Sequence, residues 1–143
     1  MTDPAGYGLG RSIERIEGLE KVMGTAKFIL DTCEPGMLYA RMVTSPHAHA
    51  RIVSICASEA EMMPGVQAVL TGASSSIMCG TLLADRPVIA ADKVRYHGEP
   101  VAVVVAASEL EAMRAAEKIQ VEYEPLPVVN SPTEGMKPGR IAR

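Results

Sequence analysis

Three histidines, the carboxylates near them and three cysteines are the residues best suited to chemistry in this chain. His47 and His49 flank Ala48, and in an extended segment both imidazoles would share one side, as half of a metal site. Zinc asks for a third and a fourth ligand, and no CxxC or HExxH accompanies the pair. Its place just after Ser45-Pro46 suits surface or turn histidines better. His97 and Glu99 flank Gly98, a spacing open to an acid–base couple, although a turn exposes such residues in any case. Gly6, Gly8 and Gly10 imitate a phosphate cradle, yet no strand precedes them and no helix follows. Ser74-Ser75-Ser76 offers hydroxyls to an anion, but such a loop is more often simply solvated. Cys79 has neither a cationic neighbour nor a helix N-terminus in view and reads as a plain thiol. There is no GxSxG elbow. The residues alone therefore assign no catalytic, cofactor-binding or metal-ligating position.

The elements that would position these residues are clearest in residues 92–127. A weakly alternating strand over 93–96 leads into the turn His97-Gly98-Glu99-Pro100, where glycine supplies positive φ and proline opens the next strand. Residues 101–106 form an unbroken β-branched and small apolar run, as in a strand covered on both faces. Ser108 and Glu111 form a capping box at the head of a helix. Ala112, Ala115, Ala116 and Ile119 give that helix a thin apolar face, with Glu111, Arg114 and Lys118 opposite. Val121 and Tyr123 alternate with Glu122 and Glu124 in a closing strand that Pro125 and Pro127 stop.

Upstream the same grammar recurs. Residues 13–25 read as an extended segment with turns, 27–30 as a short strand and 37–43 as a strand. Over 51–56, Ile52, Ser54 and Cys56 point one way and Arg51, Val53 and Ile55 the other. Ser58 with Glu61 makes a second capping box, Pro64-Gly65 ends that helix, and residues 66–70 form the next strand. CASEAEMM resembles AASELEAM, which leaves an internal repeat open, though two similarly capped helices in a mixed fold explain it more simply. Residues 71–83 read as a polar loop and 88–90 as a brief strand. The predicted organisation is a flexible arm over 1–12, an α+β domain over 13–130 with two strand-helix-strand units, and a linker over 131–143.

Bulk properties narrow the class. With 143 residues, 48% of them hydrophobic, the chain suffices for one domain with a core. One Phe and no Trp leave little stacking surface for bases or sugars. A net charge of −3 without any basic run argues against nucleic-acid or anionic-membrane partners. The longest apolar stretch is far below the roughly 18 residues a bilayer span needs. Three widely spaced cysteines suit free thiols in a reducing compartment, by default the cytoplasm.

The wording of several segments adds a family. Pro35-Gly36-Met37-Leu38-Tyr39-Ala40, Ser45-Pro46 with His49-Ala50-Arg51-Ile52, and Val94-Arg95-Tyr96 with Gly98-Glu99-Pro100-Val101-Ala102 follow one another in an order that resembles the N-terminal α/β-hammerhead domain of the molybdenum hydroxylases. That family comprises the xanthine dehydrogenase, aldehyde oxidase and carbon monoxide dehydrogenase large subunits. The resemblance runs from about Ser12 to Gly139. It implies an α+β fold and a parent oxidoreductase that hydroxylates aldehydes or N-heterocycles with oxygen from water. It further implies a molybdopterin cofactor, two [2Fe–2S] clusters and often FAD, carried on partner domains or subunits rather than on this chain. The family's pterin-binding motifs and catalytic glutamate lie downstream of this domain, so none transfers, and His49 and Glu99 match structural positions. The family often has Asp near Cys56 and Thr at Met23, where this sequence departs. The expected role is a scaffold for the molybdopterin-binding part, not catalytic alone. Alternatives are a stand-alone interaction module and, more distantly, a small acid–base enzyme using His97 and Glu99.

Overall fold

The structure is a computed structural model that describes residues 14–75 and 77–138. The expected arm over 1–12, with Gly6, Gly8 and Gly10, lies outside the described residues, as does the end of the expected linker. The chain divides into two compact units, Met1–Pro35 and Gly36–Arg143.

In the first unit the sequence reading needs correcting twice. A helix, α1 (Gly18–Val22), replaces the extended segment. Glu17 and Lys21 are four apart and pair at 2.6 Å across its turn. Gly24, at φ 70°, closes it: the Thr25 N–H donates to the Glu20 carbonyl at 2.9 Å and the Gly24 N–H to that of Lys21 at 3.3 Å. This is a Schellman ending, and it needs the left-handed glycine. The strand expected over 27–30 is a single 3-10 turn, Ile29–Asp31, because the Asp31 carboxylate accepts the Phe28 N–H at 2.9 Å and curls the chain.

The second unit holds two three-stranded antiparallel sheets. The strands are β1 (Tyr39–Thr44), β2 (Ala50–Cys56), β3 (Val66–Thr71), β4 (Met78–Cys79), β5 (Arg86–Pro87), β6 (Lys93–Val94), β7 (Pro100–Ala106) and β8 (Gln120–Pro125). One sheet has the order β1-β7-β3 and the other β6-β2-β8, while β4 and β5 form a separate two-stranded ladder. The apolar run read as a fully covered strand is β7, the centre of its sheet, with Val101, Ala102, Val104 and Ala106 all buried.

Helix α3 (Glu109–Ala116) starts as its capping residues dictate. The Ser108 hydroxyl accepts the Glu111 N–H at 3.3 Å and donates to the Glu111 carboxylate at 2.9 Å. Its alanine face packs on the β1-β7-β3 sheet, where Ala60, Ala102, Val104, Ala115 and Ile119 form one buried cluster. Alanine projects so little that helix and sheet can approach closely. A second cluster, Ala50, Ala90, Val94 and Val101, seals the other sheet, and the half-buried Val43 and Val121 pack against both.

Elsewhere the unit departs from the sequence reading. Helix α2 (Ser58–Glu61) has Ala57 at its N-cap and no side-chain cap, so the second capping box does not form. Ala57 already has near-helical φ and ψ (−109°, −2°), which places Ser58 inside the first turn instead of ahead of it. With four residues against eight in α3, the two helices also differ in length. In β2 the alternation breaks at Val53: Ile52 faces Tyr123 and Ser54 faces Glu122, leaving Val53 as an inserted bulge residue. Ile52 and Ile55 are consequently both half-buried, while Ser54 and Cys56 are exposed. The expected strand at 88–90 lies earlier, at Arg86–Pro87, and its partner β4 falls inside the expected loop. Within the expected linker, Pro132–Gly135 forms the short helix α4, with proline in its first turn.

Candidate functional site

The chemistry-bearing residues gather where the end of β1 meets the turn before β7. The Ser45 N–H donates to the Glu99 carbonyl and the Gly98 N–H to the Ser45 carbonyl, both at 2.9 Å. Gly98 makes this turn with φ 87°. Glu99 is 1% exposed, and one carboxylate oxygen accepts the Arg95 N–H at 2.5 Å. Its other oxygen, Oε1, is buried with no hydrogen-bond partner among the described residues. Ser45 is equally buried, and its hydroxyl accepts the His47 N–H at 3.0 Å.

The two histidines of the candidate half-site are sent to different partners. Residues 46–49 bend and do not form a strand, so the alternation that would align the two side chains is absent. His47 meets the Tyr123 ring edge-on, with centroids 5.0 Å apart. His49 directs Nδ1 to the Pro127 carbonyl at 2.7 Å. A proline carbonyl only accepts, so Nδ1 carries the proton; Nε2 is buried without a partner among the described residues. Among the described residues no group of three or more His, Cys, Asp or Glu stands ready for a metal.

His97 and Glu99 do not form a couple either. No hydrogen bond joins them; Glu99 is turned inward onto Arg95, and His97 is exposed. His97 lines a small open concavity of about 190 Å³ with His49, Arg95, Tyr96 and Asn130. Burial raises the Tyr123 phenol above its usual range, and the Ser45 hydroxyl draws it partly back.

Ser74 is engaged with backbone: its hydroxyl accepts the Thr71 N–H at 3.0 Å and donates to the Thr71 carbonyl at 2.9 Å. Ser76 lies outside the described residues. The reading of Cys79 changes, because the β4–β5 ladder sets Arg86 directly opposite it. Hydrogen bonding to the Cys79 sulfur, and then its charge, raise the Arg86 guanidinium pKa. A loop over residues 80–85 separates the two, so only the ladder register could have disclosed the cationic neighbour. None of the three cysteines is in a disulfide.

The buried polar groups at this turn hold loops in place, within a mixed α/β unit of small antiparallel sheets. Residues 23–127 match the family described as aldehyde oxidase and xanthine dehydrogenase, a/b hammerhead domain. The chain belongs to this family. It is 43% identical over 126 residues to a probable xanthine dehydrogenase subunit from Bacillus subtilis (strain 168), covering 87% of this chain and 17% of that protein. Its fold superposes on the reconstituted CO dehydrogenase from Oligotropha carboxidovorans with a TM-score of 0.83 at 40% identity, covering 91% of this chain and 17% of the other. Quinoline 2-oxidoreductase from Pseudomonas putida 86 gives a TM-score of 0.81 at 38% identity, covering 94% and 18%. The chain thus spans less than a fifth of the length of these relatives.

The cofactors implied by the family do not fit the described residues. The concavity lined by His49, Arg95 and His97, about 190 Å³, is below the roughly 300 Å³ at which ligand clefts begin. Iron–sulfur clusters are usually held by four thiolates; the chain has three cysteines, and no group of three or more His, Cys, Asp or Glu is brought together among the described residues.

Proposed function

We propose that this chain is the hammerhead scaffold of the large subunit of a molybdopterin-dependent hydroxylase or dehydrogenase, and that it packs against the molybdopterin-binding part of that enzyme. In this reading the iron–sulfur and FAD-carrying parts are further partners, the cofactors sit outside the chain, and the assembly works in the cytoplasm. No helix among the described residues is long and apolar enough to cross a membrane.

The observation that carries the reading is the outer face of the β1-β7-β3 sheet. Its register aligns Met42, Val103 and Leu70 in one cross-strand row and Ala40, Val105 and Ala68 in the next. Both rows are wholly apolar, and Met42 and Leu70 are 61% and 41% exposed. α3 covers the opposite face, and among the described residues these rows belong to neither of the two buried clusters. A contiguous apolar face of this kind marks an interaction surface.

The test is co-purification of this chain with the molybdopterin-binding part, with molybdenum measured in the product. The wild-type pair should be recovered together with metal, and the M42K/L70K double variant should separate it. Turnover by the chain alone, with stoichiometric molybdenum bound, would overturn the proposal.

A further inference from the structure

The two three-stranded sheets present four outer edges among the described residues, and three of them are blunted. β1 carries Arg41, β8 carries Glu122, Glu124 and Pro125, and β6 is only two residues long. Charge, proline, shortness and bulges are the usual defences of a strand edge. β3, Val66–Thr71, has neither charge nor proline in its sequence VQAVLT. Its single irregularity is a bulge at Gln67, ahead of the regular stretch that pairs with β7 through Ala68, Val69, Leu70 and Thr71. At one end the Val66 N–H donates to the Met63 carbonyl, and at the other Ser74 occupies both backbone groups of Thr71. Residues 67–70 are left with alternate N–H and C=O groups directed away from the sheet. A trough of about 270 Å³ runs along this edge, lined by Glu61, Val66, Gln67, Ala68 and Val69. Glu59 on the same helix is engaged with Lys118 at 3.8 Å, whereas Glu61 has no ion pair among the described residues.

We infer that this edge of β3 receives an extended strand from the parent enzyme, apolar at alternate positions and with a basic side chain opposite Glu61. The inference rests on the packing reading above and specifies how the contact is made. Backbone hydrogen bonds would supply the binding, and the trough and Glu61 would set the register. The added strand would continue the apolar rows through Ala68 and Leu70.

Two measurements on the native assembly test it. Deuterium exchange should show the outward amides of residues 67–70 protected by about 100-fold or more relative to a free peptide spanning 64–75. Peroxide footprinting should show Met42 shielded. Shielded Met42 with weaker amide protection would overturn the strand addition while leaving the packing intact. Oxidised Met42 would remove the packing reading itself. Amide protection that tracks self-association of this chain would overturn the inference in favour of a second copy.

Discussion

The Glu99 carboxylate accepts the backbone N–H of Arg95 from a position 1% exposed to solvent. This bond closes the turn that leads into the central strand β7, and it makes Glu99 a fastener whose second oxygen has no partner among the described residues. Glu99→Ala strands a part-buried backbone donor and should destabilise the fold by about 1–3 kcal/mol. Glu99→Gln keeps an acceptor oxygen and should cost clearly less. Urea denaturation of the three proteins provides the comparison, and equal losses for both variants would contradict the fastener role.

The two serines read as helix caps now separate. Ser108→Ala removes a bond seen to the Glu111 N–H and should cost about 1 kcal/mol. Ser58→Ala removes no cap and should shift the unfolding midpoint little. A matching loss at both sites would show that Ser58 does cap its helix.

Gly98 and Gly72 should resist alanine for opposite reasons. At Gly98 a Cβ would meet nothing within 4 Å, but φ is +87°, so alanine should cost about 1–2 kcal/mol of backbone strain. At Gly72 the added Cβ would run into the Ala90 carbonyl. Gly98→Asn, an asparagine tolerating the left-handed region, should recover part of the loss, whereas Gly72→Asn should recover none. Thermal unfolding of the four variants separates strain from collision.

Tyr123 gives a pH signature. Its phenol is raised by burial, so the folded state holds the proton more tightly than the unfolded chain. The associated stability is fully present below about pH 10, the ordinary phenol value, and is lost as pH rises through the folded pKa. Tyr123→Phe should flatten this alkaline decline, as read from unfolding midpoints between pH 9 and 11. An unchanged slope would count against burial as the cause.

What the sequence made legible follows from the range of each interaction. The Ser108 cap, the alanine face of α3, the β7 run and the β8 alternation are local patterns, and all four are present in the fold. Val53 was hidden because a bulge inserts one residue without altering composition, yet it reverses the facing of everything after it. The bends at 46–49 and the Cys79–Arg86 neighbourhood depend on which strands meet, a decision made by contacts distant in sequence. α1 did carry a local signal, Gly24 after a Glu17–Lys21 pair, but the many charges around it concealed the period. The outer rows of the β1-β7-β3 sheet are legible only once three strands, separated by loops and a helix, are set in register.

The alanines facing the sheet from α3 also limit the ways in which this protein can drift. Short of glycine, no side chain at Ala112 or Ala115 can become smaller, so chance replacement there adds bulk where both positions are already closed to solvent. Family members should therefore diversify on the exposed side of the helix and hold this contact nearly constant, like a hinge pin machined to one diameter.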